Sequence, residues 1–147
     1  MPIDLGHLAR LIAPLLAALP LVGASPASAQ SFDGRWSGTI SCAKLSFTPA
    51  MLNTPIAVTV RGGRAQFSRT VLSPDGRLKV GTETGSGSVD ASGATSLSGG
   101  WRGRADSYQS SYSGRLSAAG GTLSGTQLWQ TGDGQRHNRD CSITLHR

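Results

Sequence analysis

Apolar and polar residues alternate with a period of two along most of this chain, and helical spacing is almost absent after residue 35. Gly, Ser, Asp and Pro clusters interrupt the alternation at roughly 8–12-residue intervals, the spacing of all-β domains. The first strand is expected over Arg35–Cys42, with Trp36, Ile40 and Cys42 on one face. Lys44–Pro55 carries two prolines and is expected to be a loop. Ile56–Arg61 alternates cleanly, with Ile56, Val58 and Val60 inward. Gly62-Gly63 fits a two-residue hairpin turn. Ala65, Phe67 and Val71 face inward on the return strand, and Arg69 shares their parity, which a bulge or a position at the barrel mouth would reconcile.

Ser73-Pro74-Asp75-Gly76 is a turn with proline in its favoured second place. Beyond it, Leu78 and Val80 are expected inward, opposite Arg77 and Lys79. Further strands are expected around Thr84–Val89, Thr95–Arg104, Tyr108–Leu116 and Thr122–Gln130, and a last one carries Cys141, Ile143 and Leu145 inward. The fold class is therefore all-β, a single antiparallel up-and-down barrel of about eight strands, since closure removes exposed sheet edges.

The amino-terminal segment changes the setting. Arg10, the apolar run Leu11–Ala24 and the small residues Ala27-Ser28-Ala29 form an export signal over residues 1–29, leaving a barrel domain at 30–147. The expected location is the periplasm or the cell exterior. Of the two cysteines, Cys42 lies on the first strand and Cys141 on the last. An oxidising compartment favours their pairing, and pairing requires those strands to be neighbours. No later apolar stretch is long enough to span a membrane.

The chain has a formal net charge of +6, and 12 of its 14 basic residues are arginine. Arg61, Arg64, Arg77 and Lys79 fall on two hairpins and are expected to form an outer basic patch for an anionic envelope surface, lipid or polysaccharide. A nucleic-acid partner is not expected, because no recognition motif is present. Catalytic signals are also missing. His137 and His146 do not have metal-ligand spacing, no nucleophile elbow occurs, and the acidic residues form no close pair on one strand face. No metal, cofactor or catalytic residue is expected.

Trp101, Tyr108, Tyr112 and Trp129 share inward parity on three late strands. Aromatic walls with hydroxyls nearby suit a sugar ring or planar molecule, so these four are the candidate ligand-binding residues. Phe32-Asp33-Gly34-Arg35-Trp36-Ser37-Gly38 resembles the Gly-x-Trp opening of calycin-type barrels, the lipocalin and avidin group, and is similar to the start of small exported bacterial proteins. The resemblance implies that Trp36 plugs one barrel end, with Arg139 or Arg147 packed across it, and that ligand binds in the barrel or at its mouth. Ser37-Gly38-Thr39-Ile40 departs from the avidin pattern, so biotin is not implied. The function expected is a non-enzymatic binding module for a small ligand or glycan at the barrel mouth. The alternative is an envelope interaction protein or secreted enzyme inhibitor acting through its outer surface.

Overall fold

The computed structural model describes residues 31–48, 51–73 and 76–147. The expected export signal, Pro49-Ala50 and Pro74-Asp75 lie outside the described residues. Eight antiparallel strands follow in chain order: β1 (Gly34–Cys42), β2 (Leu52–Arg61), β3 (Arg64–Leu72), β4 (Lys79–Val89), β5 (Ala94–Arg102), β6 (Ser107–Leu116), β7 (Gly120–Gln130) and β8 (Arg136–His146). Each pairs with its neighbour in sequence, and β1 pairs with β8 to close the barrel. Cys42 stands opposite Cys141 in that last ladder, and their disulfide joins the first strand to the last with Cα atoms 4.0 Å apart.

Gly62 and Gly63, at φ +55° and +75°, make the two-residue turn between β2 and β3, a shape that residues with a Cβ resist. The expected loop before β2 is shorter than its prolines suggest. Pro55 lies within β2, opposite Thr39, where the ladder to β3 has not yet begun, so its missing N–H leaves no gap on that side. The parity expected for Leu78 and Val80 is also corrected. A register shift at Val71/Leu72 leaves both exposed and turns Gly81, Glu83, Gly85 and Gly87 inward.

The two barrel ends differ. At one end Trp36 is fully buried and donates from Nε1 to the Phe32 carbonyl at 2.9 Å. The Arg147 guanidinium lies over its ring, 5.0 Å from the centroid, and donates to the Ser31 and Asp33 carbonyls. Asp33 accepts the Gly62 N–H. Arg147 thus fills the place weighed for it across Trp36. Arg139 does not, because its strand position puts it toward the opposite end. Above the plug, Ile40, Val58, Phe67, Leu97, Leu116 and Ile143 belong to one continuous apolar core. Phe67 lies against the backbone of Gly85 and Gly99, where a Cβ would stand only 2.2 and 2.6 Å from its ring.

The four basic residues expected to form one patch do not meet. Arg61 faces Arg64 across the β2–β3 turn beside the plugged end, whereas Lys79 pairs with Leu72 at the other end of β3. Eight residues at about 3.3 Å each separate the two sites by about 26 Å, beyond a physiological Debye length of about 8 Å.

The disulfide closes a span of 99 residues. In the chain-entropy treatment such a loop stabilises by about 4.7 kcal/mol. Replacing both cysteines by alanine is expected to lower unfolding free energy by about 2–5 kcal/mol in urea titrations. A loss below about 0.5 kcal/mol would remove the bridge from the list of stabilising features.

Candidate functional site

The interior of the mouth half is polar at its base and aromatic at its rim. Strand alternation points Thr54 of β2, Arg69 of β3, Glu83 of β4, Ser110 of β6, Gln127 of β7 and Arg139 of β8 inward, and all six are buried. Glu83 is the hub. Its Oε2 accepts from Arg69 Nε at 2.5 Å and from the Tyr108 hydroxyl at 2.8 Å, while its Oε1 accepts from Ser110 at 2.5 Å and Tyr112 at 3.3 Å. Arg69 also donates to the Thr54 hydroxyl and to Tyr108. The Arg69–Glu83 ion pair is fully shielded from solvent. Such a pair is tolerated in a barrel core only when its remaining donors and acceptors are met. Here no fully buried polar side-chain atom lacks a partner among the described residues.

A second branch rises toward the mouth. Gln127 donates to the Tyr112 hydroxyl at 2.8 Å. Its Oε1 accepts twice from Arg139, at 2.9 and 2.7 Å, and once from Trp129 Nε1 at 3.3 Å. The Arg139 guanidinium lies 5.2 Å from the Trp129 ring centroid. Burial, helped by the like charge of Arg69, lowers the Arg139 pKa to about 10.

Three of the four expected aromatics meet at the rim. Tyr108 and Trp129 are 4.6 Å apart by centroid, and Trp101 is 5.9 Å from each. Trp101 reaches this position because Gly81 has no side chain; a Cβ there would stand 2.2 Å from the indole nitrogen. Tyr112 lies deeper, edge-on to Phe67. The described part of the β1–β2 connection, residues 43–48, folds over the rim. Leu45 is buried with Val71, Tyr108 and Trp129, and Phe47 stacks edge-on against Trp129 and His137. Between this connection, β3, β4 and the aromatics lies a cleft of about 230 Å³, with Met51, Val71, Val80, Trp101, Trp129 and Arg139 in its wall. A larger hollow of about 570 Å³ crosses the outer side of β5–β8 and is lined by exposed Arg102, Gln109, Leu128 and Arg136. It is a surface furrow that shares only the rim aromatics with the interior.

Sequence reasoning placed the aromatics but missed Glu83, Gln127 and the role of Arg139. The available signal was Arg69 at an apolar parity, which calls for an inward acid on the neighbouring strand. His137 Nδ1 shares a hydrogen bond with Ser46 Oγ. No group of three metal-ligating side chains occurs among the described residues. Comparison of the chain with protein-family models, curated proteins and solved structures finds no match.

Two measurements test the network. Glu83→Gln leaves Arg69 buried without a counter-charge and should cost about 3–5 kcal/mol, whereas Arg69→Met combined with Glu83→Leu should recover at least about half of that loss in the same denaturant titration. The second concerns the only two tyrosines of the chain. Burial raises the Tyr108 pKa, against a partial offset from Arg69, and burial with the Glu83 charge pushes Tyr112 up to about 12. Unfolded tyrosines ionise near 10, so the stability carried by the neutral phenols is complete below pH 10 and falls as pH rises toward 12. Tyrosinate absorbance should therefore stay flat through pH 10 and then rise in one step with loss of the fold. A gradual rise centred at pH 10 in the folded protein would refute the buried placement.

Proposed function

We propose that this chain is an exported, non-catalytic binding module that takes a small ligand with a flat apolar face at the barrel mouth. The observation that carries the reading is the aromatic rim of Trp101, Tyr108 and Trp129, set over a polar base and beside a cleft of about 230 Å³. Rings held by packing and hydrogen bonds offer a rigid wall at small entropic cost. The cleft is below the roughly 300 Å³ of common ligand sites, so the occupant is small or inserts only one end. Trp36 beneath Arg147 at the plugged end, together with the eight-strand closure, supports a calycin-like reading and with it ligand entry from the opposite end. The Cys42–Cys141 bridge suits an oxidising compartment, in keeping with export.

One observation favours the interaction reading. The large apolar side chains exposed among the described residues, Phe47, Met51, Leu78, Val80 and Leu128, all lie in the mouth half of the barrel. A partner protein that inserted an apolar side chain into the cleft would cover Phe47, Met51 and Val80, which border it.

Trp101 and Trp129 supply the readout. A panel of small aromatic compounds and glycans should contain members that change tryptophan fluorescence saturably, and Trp129→Leu should abolish that response while the disulfide-linked barrel still melts cooperatively. A response that survives Trp129→Leu would move the site away from the mouth. A panel with no saturable member would shift the reading to the partner protein, to be tested on Leu78→Ser and Met51→Ser.

A further inference from the structure

Two guanidiniums and one carboxylate are buried in the barrel interior. Glu83 is committed to Arg69, with Tyr108, Ser110 and Tyr112 completing its acceptor sites. Arg139 is left with no carboxylate within 4 Å among the described residues. It is 6% exposed, and its two hydrogen bonds both go to a single neutral acceptor, Gln127 Oε1. An arginine carries five N–H donors, so three remain without a protein partner. No fully buried polar side-chain atom is unsatisfied, so Nη1, which has no protein partner, is reached by solvent, and Arg139 lines the mouth cleft. In so largely apolar and aromatic a wall a cation is costly unless water or a counter-charge reaches it.

We propose that the ligand taken at the mouth is an organic carboxylate, its acid group held by the free edge of the Arg139 guanidinium and its small apolar body lying between Trp129, Trp101, Phe47 and Val71. The proposal rests on the mouth reading given above and adds the charge of the ligand to it. The guanidinium fork matches a carboxylate in two parallel hydrogen bonds, and stacking on Trp129 keeps the fork fixed. Burial, helped by the like charge of Arg69, lowers the Arg139 pKa to about 10, so the guanidinium is still a cation at neutral pH. The wall opposite is apolar, with Met51, Val71 and Val80, which excludes a highly hydrated anion such as free phosphate and suits an acid with a hydrocarbon body. Asp106 also lines the cleft, with Oδ1 accepting the Gly132 N–H at 3.0 Å. Its charge is offset around the mouth by exposed Lys79, Arg102, Arg104 and Arg136. These would draw an anion toward the opening.

The test uses matched pairs that differ only in charge: 2-naphthoate against 2-naphthamide, and octanoate against octanol, titrated calorimetrically into the disulfide-linked protein. The acids are expected to bind roughly tenfold or more tightly than their neutral partners, the ratio set by charge-assisted hydrogen bonds. Arg139→Gln should bring that ratio to about one. Arg139→Lys, which keeps the charge and loses the fork, should retain a smaller preference. Equal binding of acid and neutral partner to the unaltered protein would overturn the carboxylate assignment and leave the mouth reading standing. An acid preference that persists in Arg139→Gln would overturn the role of Arg139 and assign the preference to the rim cations. Binding of no member at millimolar concentration would overturn the mouth reading and this inference with it. The comparison within the unaltered protein keeps the charge assignment testable even if an Arg139 variant fails to fold.

Discussion

Burial of the Glu83 carboxylate is the constraint on which the mouth half of the barrel depends. An isolated carboxylate there would cost several kcal/mol, and Glu83 escapes that cost by collecting donors from two other strands. Arg69 comes from β3, and Tyr108, Ser110 and Tyr112 come from β6. The shared acceptor fixes where β3, β4 and β6 face one another across the interior. The depth and orientation of both tyrosines follow from it, as does the floor on which Trp101 and Trp129 rest. A purely apolar filling would stabilise the barrel at least as well but would not hold the phenols in one place. The interior is thereby divided into an apolar plugged half and a polar, aromatic mouth half.

Much of the architecture was legible in the alternation of apolar residues. β1, β2, β6 and β8 carry large inward side chains at every second position or nearly so, and their faces emerge directly. The expected cysteine pairing and barrel closure are both present. β4 was the least legible strand. Its inward residues are Gly81, Glu83, Gly85, Gly87 and Val89, so only one of them announces a core face. The apolar volume opposite these glycines comes from Phe67 and Trp101, two other strands' side chains, and no single-strand pattern reveals that exchange. The apolar Leu78 and Val80 beside the turn then drew the parity the wrong way.

The candidate site was half legible for a related reason. Aromatic residues at alternating positions mark an inward face whether they fill it or serve it, so Trp101, Tyr108, Tyr112 and Trp129 could be named. Charged residues at the same parity contradict the ordinary expectation of an apolar core. Arg69 was conspicuous, but its partner lay in a strand that began five residues earlier than the expected Thr84. Arg139 and Arg147 are both on or beside the last strand, and only the register decides that one crosses Trp36 while the other enters the mouth. The basic residues at the two ends of β3 show the same limit, because sequence proximity of two hairpins says nothing about which end of a barrel each turn occupies.

The position of the disulfide gives the barrel a direction of opening. The β1–β8 seam runs six residue pairs, from Ser37 opposite His146 to Cys42 opposite Cys141, and the covalent link is its mouth-side terminus. A seam bolted at one end can fray only from the other, toward Trp36 and Arg147. Transient opening is thereby directed away from the aromatic mouth, and the segment that starts at Ala43 hangs from a hinge that does not loosen. Amide protons at the mouth end of this seam would be released to solvent only when the whole molecule comes apart, while those near Gly38 and Leu145 could exchange through a local breath.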